Sequence, residues 1–284
     1  MRIVCQQLAP TVGDDAANHE ATIVAVRDAV ERGADLIVLP ELCTSGYVFA
    51  EAGEVESAAL TLESPLIREW ITALEGTEAV LVAGVPLREA DGIANAAVIL
   101  DATGVLAVYR KVHLWDEERR WFRAGSEPPP VVDTRQGRIA VMVCFDLEFP
   151  EMVRGVFLQG ADVIAAPTNW PAAASPAGER QAELHDAMSS ARLSRIFIAC
   201  CDRGGSERGS TFAGASAIIG PDGWLRAGSE SAGATTVQAD VDLSEARDKS
   251  TGRINDVRAD RRPDVYGTVH PQRLDLNSDS QSEI

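Results

Sequence analysis

Residues 137–151 read Gly-Arg-Ile-Ala-Val-Met-Val-Cys-Phe-Asp-Leu-Glu-Phe-Pro-Glu. The apolar run Ile139 to Val143 has the length and the β-branched content of a strand buried on both faces. Cys144 follows it at once. Pro150, with φ already near the helical value and no N–H to leave unpaired, suits the first turn of a helix, and Glu151 suits its positive end. The stretch is a strand, a tight turn and a helix, and what it delivers at the turn is a thiol.

The same alternation extends in both directions. Apolar runs recur at Ile3–Leu8, Leu36–Leu39, Ala79–Val85, Ala96–Leu100, Val105–Tyr109, Val163–Ala166, Ile196–Cys200 and Ala215–Ile219, which with Ile139–Val143 makes nine strand candidates. Helical patterns lie between several of them, at Asp14–Glu31 with Gly33 as its stop, and at Pro65–Leu74, Pro150–Gln159 and Glu179–Arg195. Strands alternating with helices predict an α/β protein. Asp101-Ala102-Thr103-Gly104, set between two runs, adds a hairpin, so the sheet is mixed.

The chain has 284 residues, 45% hydrophobic and 24% charged, which is the composition of a packed globular protein. Its formal charge of −17 argues against binding to a nucleic-acid backbone and reads either as salt adaptation or as the composition of a lineage. Of 26 cationic residues only Lys111 and Lys249 are lysines. No apolar run approaches the roughly 18 residues of a membrane span. The N-terminus lacks the basic and apolar segments of a leader, so a cytoplasmic location is expected. The five cysteines have no Cys-x-x-Cys spacing, and neither a disulfide framework nor a metal site fits them. One domain is expected over residues 1–270, followed by a polar tail over 271–284 that is partly disordered or docked on a partner subunit.

Three of the runs end in reactive side chains: Leu36–Pro40 in Glu41, Leu106–Arg110 in Lys111, and Ile139–Val143 in Cys144. Ligands of open α/β sheets sit beyond the carboxyl ends of strands, so the three can converge although they are far apart in sequence. Each alone also reads as an ordinary solvated or core residue. Together they make coherent chemistry. A neighbouring ammonium or helix N-terminus favours the thiolate, a glutamate serves as general base and then acid, and the ammonium, with a backbone N–H just after Cys144, stabilises a developing oxyanion.

The motifs Leu39-Pro40-Glu41-Leu42 with Gly46-Tyr47, Tyr109-Arg110-Lys111-Val112-His113-Leu114, and Gly137 to Asp146 with Phe149-Pro150-Glu151 and Arg154 resemble, in order and separation, those of the nitrilase superfamily of carbon–nitrogen hydrolases. The resemblance implies a four-layer αββα sandwich of two mixed sheets and a Glu41-Lys111-Cys144 triad. It further implies a thioester acyl-enzyme, no cofactor, and a homodimer or larger homo-oligomer. It also implies a second pocket glutamate, placed at Glu118 with Glu117 as its rival. Cys144-Phe145-Asp146, where nitrilases carry Cys-Trp-Glu, resembles amidase-like branches and points to small aliphatic amides. Tyr47, Phe145, Asn169 and Trp170 are the expected substrate contacts. Ser190-Ala191-Arg192-Leu193-Ser194 departs from the Arg-Ala-x-Glu-Asn helix of many relatives. The rival readings are an N-carbamoyl amidohydrolase, with Arg192 or Arg203 as the cation for a substrate carboxylate, a nitrilase, and a catalytically silent interaction module.

Overall fold

The computed structural model describes residues 1–266 apart from 175, 177 and 230, so the tail expected over 271–284 lies outside the described residues. The chain forms two compact units, Met1–Asp248 and a second beginning at Lys249. In the first unit, β1 (Arg2–Gln7), β2 (Leu36–Val38), β3 (Val80–Glu89), β4 (Gly92–Asp101), β5 (Gly104–Arg110) and β14 (Thr235–Asp240) form one sheet in the order β14-β1-β2-β3-β4-β5. A second sheet consists of β6 (Val131–Asp133), β7 (Arg138–Val141), β8 (Val163–Pro167), β9 (Phe197–Cys201), β12 (Ala217–Ile219) and β13 (Leu225–Gly228), in the order β13-β12-β9-β8-β7-β6. The strands β10 (Ser206–Glu207) and β11 (Ser210–Thr211) form a short hairpin.

Both sheets are mixed: β1, β2 and β3 run parallel, as do β7, β8 and β9, with antiparallel strands on either side. The alternation of side chains along a strand explains why the central runs are apolar throughout. Ile3 and Cys5 of β1 pack in a core shared with Ile139, Val141 and Ile198 of the second sheet. Val4 between them faces the opposite way, packing with Ile23 and Val26 of α1 (Asp15–Glu31) and Ile67 and Trp70 of α3 (Pro65–Leu74). On the second sheet, Val153 and Val156 of α5 (Pro150–Leu158) and Leu184, Ala187 and Ala191 of α6 (Ala182–Ser194) are buried in the core that holds β7, β8 and β9. Helix, sheet, sheet and helix make the αββα sandwich that the resemblance implied.

The nine expected runs all lie in or across observed strands, and Asp101 pairs with Gly104 in the expected hairpin. The strands that no apolar run marked include β6, β13 and β14, which close the edges of the sheets and are largely half-exposed, so their apolar signal is diluted. The unmarked helix α2 (Ala52–Ala58) buries only Val55 and Ala58. No helix among the described residues is long and apolar enough to cross a membrane. In the second unit, Ser250 bridges to Asp256, and a turn of helix at Pro263–Tyr266 is flanked by an Arg262–Asp264 ion pair of 2.6 Å.

Candidate active site

Each of the three strand ends is fixed by local backbone chemistry. After β2 the chain stays hydrogen-bonded to β3, with Leu39 N–H on the Val82 carbonyl at 2.9 Å and Cys43 N–H on that of Gly84 at 2.9 Å. Gly84 is required there, since a Cβ would stand 2.5 Å from Glu41 Cα. Past β5, the Lys111 N–H donates to the Asn95 carbonyl (2.9 Å), and its own carbonyl accepts from Gly125 N–H (2.8 Å). Cys144 opens a 3-10 turn (Cys144–Glu148) with φ +48°, a left-handed conformation that costs a non-glycine residue on the order of 1 kcal/mol.

Asp146 holds that strained turn. Its fully buried carboxylate accepts from Tyr109 OH (2.8 Å), His113 N–H (3.0 Å) and Val143 N–H (3.3 Å), and lies 2.8 Å from His113 Nδ1. The thiol's turn is thereby tied to the segment that carries Lys111. His113 also stacks on Phe149, with ring centroids 3.5 Å apart, so it is engaged in holding the loop.

Around Lys111 the structure assembles a sealed charge cluster. The ammonium lies 2.7 Å from Glu41 Oε1 and 2.7 Å from Glu118 Oε1. Asn95 Nδ2 donates to Glu41 Oε1 (2.7 Å), Tyr47 OH to Glu118 Oε1 (2.6 Å), and Trp115 N–H to Glu118 Oε2 (3.2 Å). Glu118 thus reaches the cluster, whereas Glu117 is exposed and paired with Arg120. Both Glu118 oxygens are engaged. Glu41 Oε2, by contrast, is buried without a partner in the protein, an arrangement that costs about 1–3 kcal/mol.

The electrostatics follow from burial. Desolvation lifts Glu41 to about 7 against the pull of Lys111, with the Glu118 charge adding to the rise. Burial alone would depress the Lys111 ammonium, but Glu41, Cys144 and Glu118 outweigh it and raise its pKa, so it stays charged. Cys144 is pushed well above a free thiol by burial and by Glu41, and Lys111 only partly offsets this. Burial and the Glu41 charge thus favour the protonated thiol, against the pull that Lys111 exerts toward the thiolate. The other four cysteines are completely buried; in three of them, Cys43, Cys200 and Cys201, burial also raises the thiol.

The four expected substrate contacts differ in what they touch. Tyr47 lines a pocket of about 230 Å³ that Glu118 also lines. Asn169 turns its backbone N–H toward the Cys144 sulfur, and both polar atoms of its buried side chain lack a partner. Trp170 is buried in the core, its N–H on Asp202 Oδ1 (2.9 Å), and Phe145 meets Phe149 edge-on. The pocket's other walls, among them Trp115, Trp121 and Phe212, were not singled out from sequence, although two of them flank Glu118 in the chain. Cys144 lines neither this pocket nor a larger hollow of about 780 Å³ beside β4 and β5; Glu118 and Tyr47, which touch the Lys111 cluster, line only the smaller one, so size does not mark the site.

Arg203 is not available for a substrate carboxylate. It is 1% exposed, 3.2 Å from Glu207 Oε2 and 2.6 Å from the Pro10 carbonyl, and its guanidinium lies 4.0 Å over the Phe212 ring. Glu207 in turn accepts from the N–H groups of Val12 (2.7 Å), Tyr47 (2.9 Å) and Val48 (2.7 Å). This ion pair joins three loops and seats Tyr47 beside Glu118. Arg192 is exposed on α6, against the Gly223 turn and outside the pocket wall. The roles of Asn95, Asp146 and Glu207 could not be read from the sequence, because each depends on partners dozens of residues away: Glu41 for Asn95, Tyr109 and His113 for Asp146, and Val12, Tyr47 and Val48 for Glu207.

The family model described as carbon-nitrogen hydrolase matches residues 2–250. The chain is 30% identical over 267 residues to a nitrilase of Pyrococcus abyssi, covering 94% of this chain and 99% of the relative. It is 32% identical over 223 residues to the omega-amidase YafV of Escherichia coli, covering 76% and 80%. A solved variant of the amidase from Nesterenkonia sp. AN1, showing Michael addition of acrylamide at the active-site cysteine, superposes with a TM-score of 0.77 at 26% identity, covering 95% of this chain and all of that one. With that match, the chain belongs to the carbon–nitrogen hydrolase family, as a hydrolase of the amidase and nitrilase type with a catalytic cysteine.

Proposed function

We propose that the protein is an amidase that cleaves small aliphatic carboxamides to the acid and ammonia through a thioester on Cys144. The observation that carries this reading is the asymmetry of the charge cluster: Glu41 keeps one buried oxygen without a partner, while Glu118 has none to offer. That oxygen of Glu41 takes the Cys144 proton as the sulfur attacks the carbonyl carbon. A base is needed because burial and the Glu41 charge favour the protonated thiol.

The carbonyl oxygen becomes an oxyanion, which Lys111 Nζ and the Phe145 N–H stabilise; the latter lies in the first turn of the 3-10 segment, where N–H groups have no helical acceptor. Collapse of the tetrahedral adduct breaks the C–N bond, and Glu41 returns its proton to the nitrogen, which leaves as ammonia. Water then attacks the thioester with Glu41 again as base, and acid and thiol are released. Glu118 positions the ammonium as its second carboxylate partner beside Glu41. We take the pocket of about 230 Å³ that Glu118 and Tyr47 line as the site of the acyl chain, because those two residues join it to the Lys111 cluster, and its size favours short acyl groups. The N-carbamoyl amino acid reading loses its cation, since Arg203 is committed to Glu207 and Arg192 lies outside the pocket wall.

Incubation with valeramide should release ammonia and leave, on brief exposure, an acyl mass on Cys144. Cys144→Ala should abolish both, by at least about a thousandfold in rate. Ammonia release that survives this substitution would refute the thioester.

A further inference from the structure

The pocket that opens onto Glu118 has a chemical bias of its own. Its walls include the aromatic rings of Tyr47, Trp115, Trp121 and Phe212, and its remaining charged side chains are Asp116 and Glu117, on the turn just before Glu118. Among the described residues no Lys, Arg or His lines it. The cations nearby are engaged elsewhere. Arg203 stacks on the Phe212 ring and pairs with Glu207, Arg208 donates to the Val48 carbonyl (3.0 Å) and is held by both oxygens of Glu54 at 2.6 and 2.9 Å, and Lys111 is held by Glu118 and Glu41. Arg120 pairs with Glu117 at 2.8 Å and offsets part of its charge, but both are well exposed, so the pair is weak and open to exchange with a bound cation.

From this lining we infer that the enzyme selects its amide by the charge at the far end of the acyl chain, taking an ammonium end ahead of a neutral one and rejecting a carboxylate. The inference rests on the amidase reading and deepens it. An ammonium meets ring faces and carboxylates, both of which attract it. A carboxylate would enter a small aromatic pocket with no cationic fork to receive it and up to three like charges around it. Preference would then be set by the segment 115–118, which carries Glu118 as well, so one turn both seats the Lys111 cluster and reads the substrate.

The test is ammonia release from three amides of matched length: γ-aminobutyramide, valeramide and succinamate. The expected order of kcat/KM is that order, with about tenfold or more between the first and the last at low ionic strength and a narrower spread in molar NaCl, where exposed carboxylates are screened. The double substitution Asp116→Asn with Glu117→Gln should shrink the spread; Asn tolerates the positive φ of position 116 (+45°), so the turn survives. Succinamate turned over as fast as valeramide, or a spread unchanged in the double variant, would overturn the inference while leaving the amidase reading intact. No ammonia from any of the three would overturn the amidase reading instead. In that case thermal shifts of Cys144→Ala with γ-aminobutyramide and succinamate still decide the charge preference, equal shifts counting against it.

Discussion

Two buried ion pairs lie on either side of Tyr47, and they are built on opposite principles. Arg203 and Glu207 match one positive charge with one negative, and their oxygens and N–H groups meet backbone partners from three loops. Lys111 faces two carboxylates, one cation for two acids, and Glu41 Oε2 has no partner in the protein. The first is what a buried charge needs in order to serve the fold. The second retains an acceptor for a proton that arrives only during reaction. Satisfaction of hydrogen bonds thus separates a structural ion pair from a reactive one where burial does not.

The largest expected effect of breaking this contrast is at Glu41. Glu41→Gln keeps the shape and the Asn95 and Lys111 neighbours but removes the base, and amide turnover should fall about 10²–10⁴-fold. The pH profile provides the sharper reading. Glu41 must be ionised to accept a proton and its pKa is raised to about 7, so kcat/KM of the unaltered enzyme should climb as pH rises through that value. The residual activity of Glu41→Gln should show no such limb; an acid limb that persists would assign the base to another group.

On the structural side, Arg203→Met leaves the Glu207 carboxylate buried without its cation. It should cost about 3–5 kcal/mol, measured as a lower urea midpoint at unchanged slope. A midpoint within about 0.5 kcal/mol of the parent would mean the three backbone donors suffice. Tyr47→Phe joins the two regions and should have the smallest effect. It removes one hydrogen bond to a buried carboxylate, so kcat/KM should drop about tenfold with the midpoint nearly unchanged. An equal loss of stability would make Tyr47 part of the fold's support only.

The central strands were legible in the sequence because both faces are buried, which writes the strand as an uninterrupted apolar run. The edge strands β6, β13 and β14 were not, for the converse reason. Glu41, Lys111 and Cys144 were legible because each ends such a run. Glu118 could be told from Glu117 only by spacing, and geometry separates them: one carboxylate is 3% exposed on the ammonium, the other is out in solvent on Arg120. The balance of forces on the Cys144 thiol was not legible, because a residue list counts a nearby lysine but not the burial and the Glu41 charge that oppose it.

By itself, then, the sequence determined the alternation of strands and helices, the three strand-end side chains and the family they resemble, since these depend on local periodicity and on motifs that local backbone chemistry positions. Only the tertiary structure decided which glutamate oxygen is left without a partner, that Arg203 is engaged, and that rings and carboxylates without a cation line the pocket. Those properties are sums over partners that are distant in the chain, and the desolvation that gives them their strength exists only once the sandwich has closed around them.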